Sequence, residues 1–304
     1  MFRVYIFTFL LFITIGCDTI IPEDINLNPN SPSEAPEDLV LTGSMVGTIL
    51  FHEGATARRS GIWSGYFRGT DRQHEGFDNY LVEASDFSAI WNDMFINSLR
   101  NAIISEEKAI QNDRSGIITG ISKVIQAYGL GVAASLYGDI PFDQAGRIEF
   151  ITPVFEDQKE VYNKVQILLS EAIIELSLGI NKPINGSDIF FNGDESKWIK
   201  VANSLKARFY MHTKEYDLAY SYASLGIGSK SDNMYAIHGE VQGNSNLYYQ
   251  FFTGSRGSEL TSENTMILDL LNPSSALYRG NSKTDESARF GYYFSGSGRP
   301  NFLD

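Results

Sequence analysis

The chain has 304 residues, 43% apolar and 13% aromatic, with only 20% charged. That is enough apolar material for a core, and too little charge for a disordered or coiled-coil chain. With 24 basic against 37 acidic side chains the net charge is −13, which repels a phosphate backbone and argues against nucleic acid as a partner. The length fits one large domain or two ordinary ones.

Residues 1–16 put a single arginine, Arg3, beside a run of about a dozen apolar residues, the pattern of a secretory signal peptide. The run is shorter than the roughly 20 residues that a membrane-spanning helix needs. Thr14-Ile15-Gly16-Cys17 has the form of a bacterial lipobox, in which the cysteine sulfur receives diacylglycerol and the new N-terminus is acylated. Cys17 is the only cysteine, so no intrachain disulfide competes for it. Several acyl chains at Cys17 exceed the two-signal threshold for stable anchoring. Residues 17–36 then read as a tether, because Pro29, Pro32 and Pro36 in an Asn/Ser-rich stretch favour extended backbone.

A helical pattern begins at residue 37, with acidic Glu37 and Asp38 ahead of Leu39, Val40, Val46, Ile49 and Leu50. Further helices are predicted from Ala55 to about Arg68, from Ser85 or Asp86 to Asn112, and from Ser115 to Tyr137. The last of these is rich in small residues, including Gly129, Gly131, Ala133 and Ala134. A glycine inside a helix costs about 1 kcal/mol relative to alanine, and close approach of a neighbouring helix is the expected compensation. Gly138 suits a helix end and Pro141 prevents continuation. Val161, Val165, Leu168, Leu169, Ala172, Ile173 and Leu176 define one buried face over residues 160–178. Trp198, Val201, Ala202, Leu205, Phe209 and His212 repeat that spacing, with Asp194 or Gly193 as cap. Tyr216, Ala219, Tyr220 and Ala223 form one side of a shorter helix.

The fold class expected is therefore mainly α: a TPR-like helix-hairpin scaffold over residues 37–227, then a loop-rich, irregular C-terminal part over residues 228–304. In that second part glycines alternate with tyrosine, serine and asparagine. One helix is expected at Ser262–Leu271, and short strands near Tyr235 and Tyr248.

No catalytic constellation stands out. His52, His74, His212 and His238 are far apart in sequence and in no metal-ligand spacing, so neither a metal site nor a cofactor is expected. His212 and Trp198 read as core residues, and Lys206 and Arg208 as ion-pair partners at the rim of the core. Sugar binding needs a different kit: aromatic rings for the apolar faces of pyranoses, with amides, carboxylates and arginines for the hydroxyls. Two stretches offer it, Trp63, Tyr66, Phe67, Arg68, Asp71, Arg72 and His74 in the first, and Tyr292, Tyr293 and Phe294 in the second. Asn79 and Tyr80 extend the first. Trp63 and Tyr66, three apart, share a helical face that can serve either the core or a ligand, and the spacing does not choose between them.

Four segments in order resemble the SusD/RagB family of Bacteroidetes outer-membrane lipoproteins. They are the lipobox at Cys17, Asn28-Pro29-Asn30-Ser31-Pro32, Tyr137-Gly138-Asp139-Ile140-Pro141-Phe142-Asp143-Gln144-Ala145, and the stretch from Gly193 through Trp198 to Arg208. The resemblance covers roughly residues 17–290. It implies a TPR-based scaffold facing a SusC-like, TonB-dependent transporter, held at the outer membrane by its lipid, capturing an oligosaccharide or other nutrient without catalysis. It also implies that the C-terminal half of the family fold lies mostly outside this sequence. Two alternatives stay open: a TPR scaffold with no ligand of its own, and a surface glycosidase, which requires two carboxylates roughly 5–9.5 Å apart.

Overall fold

The computed structural model describes residues 35–241, 243–280 and 287–294. The predicted signal, Cys17 and nearly all of the predicted tether lie outside the described residues. The chain divides into units at residues 1–36 and 37–304, and the described elements all belong to the second. Of the described residues 61% are helical and 3% in strands, so the fold is mainly α.

Helices α1 (Glu37–Glu53) and α2 (Ala55–Trp63) open the fold. The buried seam of α1 is Leu41, Met45 and Phe51 together with Ser44 and Thr48, while Leu39 and Val46 are exposed. The expected apolar face is thus rotated. The first turn turns inward because Glu37 and Asp38 are themselves buried against Arg114.

Helix α2 stops at Trp63 rather than continuing to Arg68. Gly65 takes φ +76, and the backbone N–H groups of Tyr66 and Phe67 both donate to Gly61 O, at 2.8 and 3.0 Å. A left-handed residue at this point suits glycine and reverses the chain. Arg68–Gly69 then forms β1, α3 spans Arg72–Asp78, and a 3-10 turn at Ala84–Phe87 leads into α4 (Ser88–Asn92). A π-helical stretch, Asp93–Arg100, joins α4 to α5 (Asn101–Gln111).

The centre is α6 (Ile117–Tyr137), packed against α5, against α7 (Gln158–Ser177) and against α8 (Glu195–His212). An 18-residue window of α6 reaches a mean hydropathy of 1.3, enough to cross a membrane by length and composition, yet 89% of it is buried among its neighbours. The small residues do what their pattern suggests. A Cβ on Gly131 would lie 2.2 Å from Phe209 Cζ, so the glycine lets the α8 phenyl ring sit against the α6 backbone. The segment after α6 is a clasp. Gly138 ends the helix at φ +80, Asp139 Oδ1 accepts from Gln158 N at 2.9 Å, and Ile140 pairs with Glu156.

The α7 face buries Val161, Val165, Leu169, Ala172 and Leu176, and Asp194 caps α8 by accepting from Ser196 N and Lys197 N. Trp198 is fully buried, as a core position should be. His212 is not: it is exposed at the end of α8 and stacks on Tyr162 at 5.5 Å. Lys206 is buried but makes no ion pair among the described residues. Its Nζ donates to Ser170 Oγ at 2.6 Å and Gln166 O at 3.1 Å, and lies 4.5 Å from the Tyr222 ring centroid. Arg208 is exposed. In α9 (Tyr216–Ala223) only Ala219 is buried, and Tyr216 and Tyr220 face solvent.

Beyond Gly226 the described residues carry three short α-helices, α10 (Leu247–Thr253), α11 (Met266–Leu271) and α12 (Ser287–Tyr293), and strand β2 (Leu260–Thr261). No strand forms near Tyr235, and Tyr248 is helical because Asn246 caps α10 through Tyr248 N and Tyr249 N. Helix α11 starts later than expected because Leu260 and Thr261 pair antiparallel with Gly69 and Arg68.

Candidate functional site

The turn after α2 and helices α11 and α12 enclose a pocket of 520 Å³ lined by Tyr66, Phe67, Ile267, Leu271, Arg289, Tyr293 and Phe294. Ile267 N donates to Gly65 O at 3.1 Å, which fixes α11 to the turn. Phe67 is held from behind by Tyr248 and Phe252, each with ring centroids 5.6 Å away. The walls are aromatic and aliphatic, and the Arg289 and tyrosine side chains add polar groups. Such a lining can hold the apolar face of a ring-shaped ligand and bond its hydroxyls.

Of the residues expected to bind ligand, the pocket brings together Tyr66 and Tyr293. Tyr292 is exposed and meets Tyr293 edge-to-face at 5.1 Å but does not line the pocket. Trp63 and Tyr66 do not share a helical face, because the helix ends at Trp63 and the Gly65 turn redirects the chain. Trp63 instead belongs to a separate aromatic group. Its Nε1 donates to Phe77 O at 2.9 Å, and its ring plane is parallel to that of Tyr80 within 5° at 6.5 Å. Tyr80 is exposed and sits at φ +58. Holding a tyrosine in the left-handed region costs of order 1–3 kcal/mol, which the surrounding structure must impose.

Arg72 lies in neither group. Its exposed guanidinium reaches Glu259 at 3.4 Å, and Asp71 caps α3 by accepting from Arg72 N. Glu259 is the centre of a buried cluster: Arg256 binds both of its oxygens at 2.7 Å, and His74 Nδ1 lies 2.8 Å from Oε2. The Arg256 hydrogen bonds hold the Glu259 carboxyl down at about 2. Burial depresses His74, outweighing the support it receives from Glu259. Both shifts act in the same direction. A depressed histidine loses stability as pH falls below its ordinary 6.5, and a depressed carboxyl contributes stability above its ordinary 4.5 that is lost as pH falls toward about 2. Thermal melts in acid should therefore show the wild type losing stability as pH falls from 4.5 toward about 2, and a Glu259→Gln variant falling less steeply over that range. Parallel curves would mean that the cluster does not couple to folding.

Glu259 was not legible from the sequence, since it precedes a two-residue strand whose partner lies 191 residues earlier in register terms, Gly69 pairing with Leu260. The Phe87, Trp91 and Phe95 rings were legible in principle, because they recur every four residues along one helical stripe. Among the described residues no three His, Asp or Glu side chains converge as metal ligands.

The model of the SusD-like family described as starch-binding and associating with the outer membrane matches residues 29–298. No curated protein matches the chain. Among solved structures, a SusD/RagB family protein from Bacteroides thetaiotaomicron is 23% identical with a TM-score of 0.67, covering 78% of this chain and 51% of that one. A SusD homolog from Bacteroides uniformis is 21% identical with a TM-score of 0.60, covering 73% and 50%. A chitin-binding SusD homolog from Flavobacterium johnsoniae is 18% identical with a TM-score of 0.57, covering 73% and 49%. The chain thus spans about half the length of these structures, and the likeness concerns the fold.

Proposed function

Because this chain belongs to the SusD-like family, we propose that it captures glycan at the cell surface and passes it, chemically unchanged, to a SusC-like, TonB-dependent transporter. The observation that carries the reading is the 520 Å³ pocket in which Tyr66 and Tyr293 face a common space. Ring faces and polar tips in one concavity suit a pyranose, which has apolar C–H faces and a rim of hydroxyls. In this reading residues 1–16 are the signal peptide and Cys17 carries the lipid that holds the protein at the outer membrane. Residues 17–36 are the spacer, residues 37–227 the scaffold, and residues 228–304 the ligand side.

Calorimetry on the purified full chain with malto- and chitooligosaccharides tests the reading. Tyr66→Ala should weaken binding by roughly tenfold, the scale of one lost stacking contact. A chain that binds no glycan yet captures the transporter is a scaffold, and detectable cleavage of the bound sugar makes it a hydrolase. In cells that make the protein, Cys17→Ser should release it from membrane fractions; a variant that still sediments with the outer membrane contradicts the lipid anchor.

A further inference from the structure

A second cavity, of 300 Å³, opens at the start of α4 and shares no lining residue with the pocket at Tyr66. Phe87, Trp91 and Tyr137 wall it, and Ser88 and Asn92 give it a polar edge. Ser88 and Asn92 stand four apart, so they rise from one face of the helix, and both are exposed. Neither side chain has a hydrogen-bond partner among the described residues. The Tyr137 hydroxyl is buried and is also without a partner.

The walls are braced. Trp91 stacks on Phe95 at 4.1 Å and meets Tyr137 edge-to-face at 5.2 Å, while the buried Arg59 guanidinium lies 5.4 Å from the Phe87 ring centroid. The cavity thus sets two exposed polar side chains, Ser88 and Asn92, beside three rings. That mixture suits a pyranose, because its ring face is apolar and its hydroxyls both donate and accept. Phe87 also lies 5.9 Å from Trp63, whose ring parallels Tyr80. The rings Tyr80, Trp63 and Phe87 therefore follow one another, and Phe87 shares the cavity with Trp91.

We propose that this cavity is a second sugar subsite, and that with the Trp63–Tyr80 pair it favours extended glycan chains over short ones. The assignment rests on the carbohydrate reading above. Trp91 braces its neighbours, so the polar edge is the cleaner probe. The test is calorimetry on the full chain with maltose against maltoheptaose and chitobiose against chitohexaose. For the oligomer type that binds, a Ser88→Ala/Asn92→Ala variant should lose roughly tenfold affinity for the long form, the scale of two lost hydrogen bonds, and keep its affinity for the short form. Tyr66→Ala should weaken both lengths. A double variant that folds normally and binds the long form as tightly as wild type overturns the second subsite and leaves the proposed function standing. A wild type that binds neither length of either oligomer overturns both.

Discussion

Replacing Arg114 by alanine should lower the unfolding free energy by about 3–5 kcal/mol, the cost of leaving a buried ion pair half-made. Arg114 Nη1 binds Glu37 Oε1 at 2.6 Å and also binds Asp38 Oδ2, while Nη2 reaches Lys182 O at 3.2 Å. Glu37 and Asp38 are 3% and 0% exposed, so their charge has no solvent to fall back on. Asp38 Oδ1 accepts Ile184 N at 2.8 Å and Asn112 Nδ2 donates to Glu37 Oε2 at 2.9 Å, but neither neutralises a charge. Burial by itself would raise the Glu37 carboxyl; its own backbone N–H and Arg114 more than reverse that and leave it lowered. In the alanine variant burial acts on Glu37 with less opposition, so its carboxyl takes up a proton at higher pH and the deficit shrinks as pH falls. Urea titrations of both proteins between about pH 7 and pH 4 check this. A deficit that does not change with pH would trace the loss to packing instead of charge. Arg114→Lys should recover only part of the loss, since a lysine cannot span both carboxylates with one planar fork.

Trp198→Ala should cost about 3–5 kcal/mol, the range for removing a large aromatic from a packed interior. The indole is fully buried between Phe190 and Phe191, both edge-on at 6.0 and 5.3 Å. Its Nε1 donates to Asp188 Oδ2 at 2.8 Å. The same carboxylate accepts from Gly193 N, Phe190 N and Phe191 N, so it organises the whole turn that leads into α8. Trp198→Phe keeps an aromatic ring but loses the pyrrole part of the indole with its N–H, and should cost about 1–3 kcal/mol, less than the alanine variant because most of the buried volume stays filled. Equal losses in the two variants, measured by chemical denaturation, would mean that the hydrogen bond outweighs the volume.

The helical scaffold was readable because α6, α7 and α8 write their burial directly into residue spacing. Leu169, Ala172 and Leu176 on one side and Trp198, Ala202, Leu205 and Phe209 on the other are where the 3–4 rule puts them. The rule misled at α1. There Leu39 and Val46, two of the expected apolar residues, are exposed, and the seam is completed by Ser44 and by Glu37, Asp38 and Thr48, whose burial depends on partners far along the chain. Spacing cannot register a carboxylate that is buried because an arginine some 76 residues away meets it. The ligand-binding candidates divided for a similar reason. Tyr66 and Tyr293 meet across more than 220 residues through the shape of a glycine turn, whereas Trp63, in the same predicted face as Tyr66, was separated from it by that turn.

The pattern of contacts also sets an order of assembly. Helices α6, α7 and α8 each pack on their immediate successor, so their interfaces are local in sequence and should form early and fast. The His74–Glu259 and Glu53–His238 bonds each join residues 185 positions apart, and β1 must find β2 across a comparable span. Closing such loops costs entropy before any contact repays it. The pocket at Tyr66 is therefore a late structure, completed when the segment beyond Gly226 docks on a core already in place. Substitutions in that segment should speed unfolding more than they slow refolding.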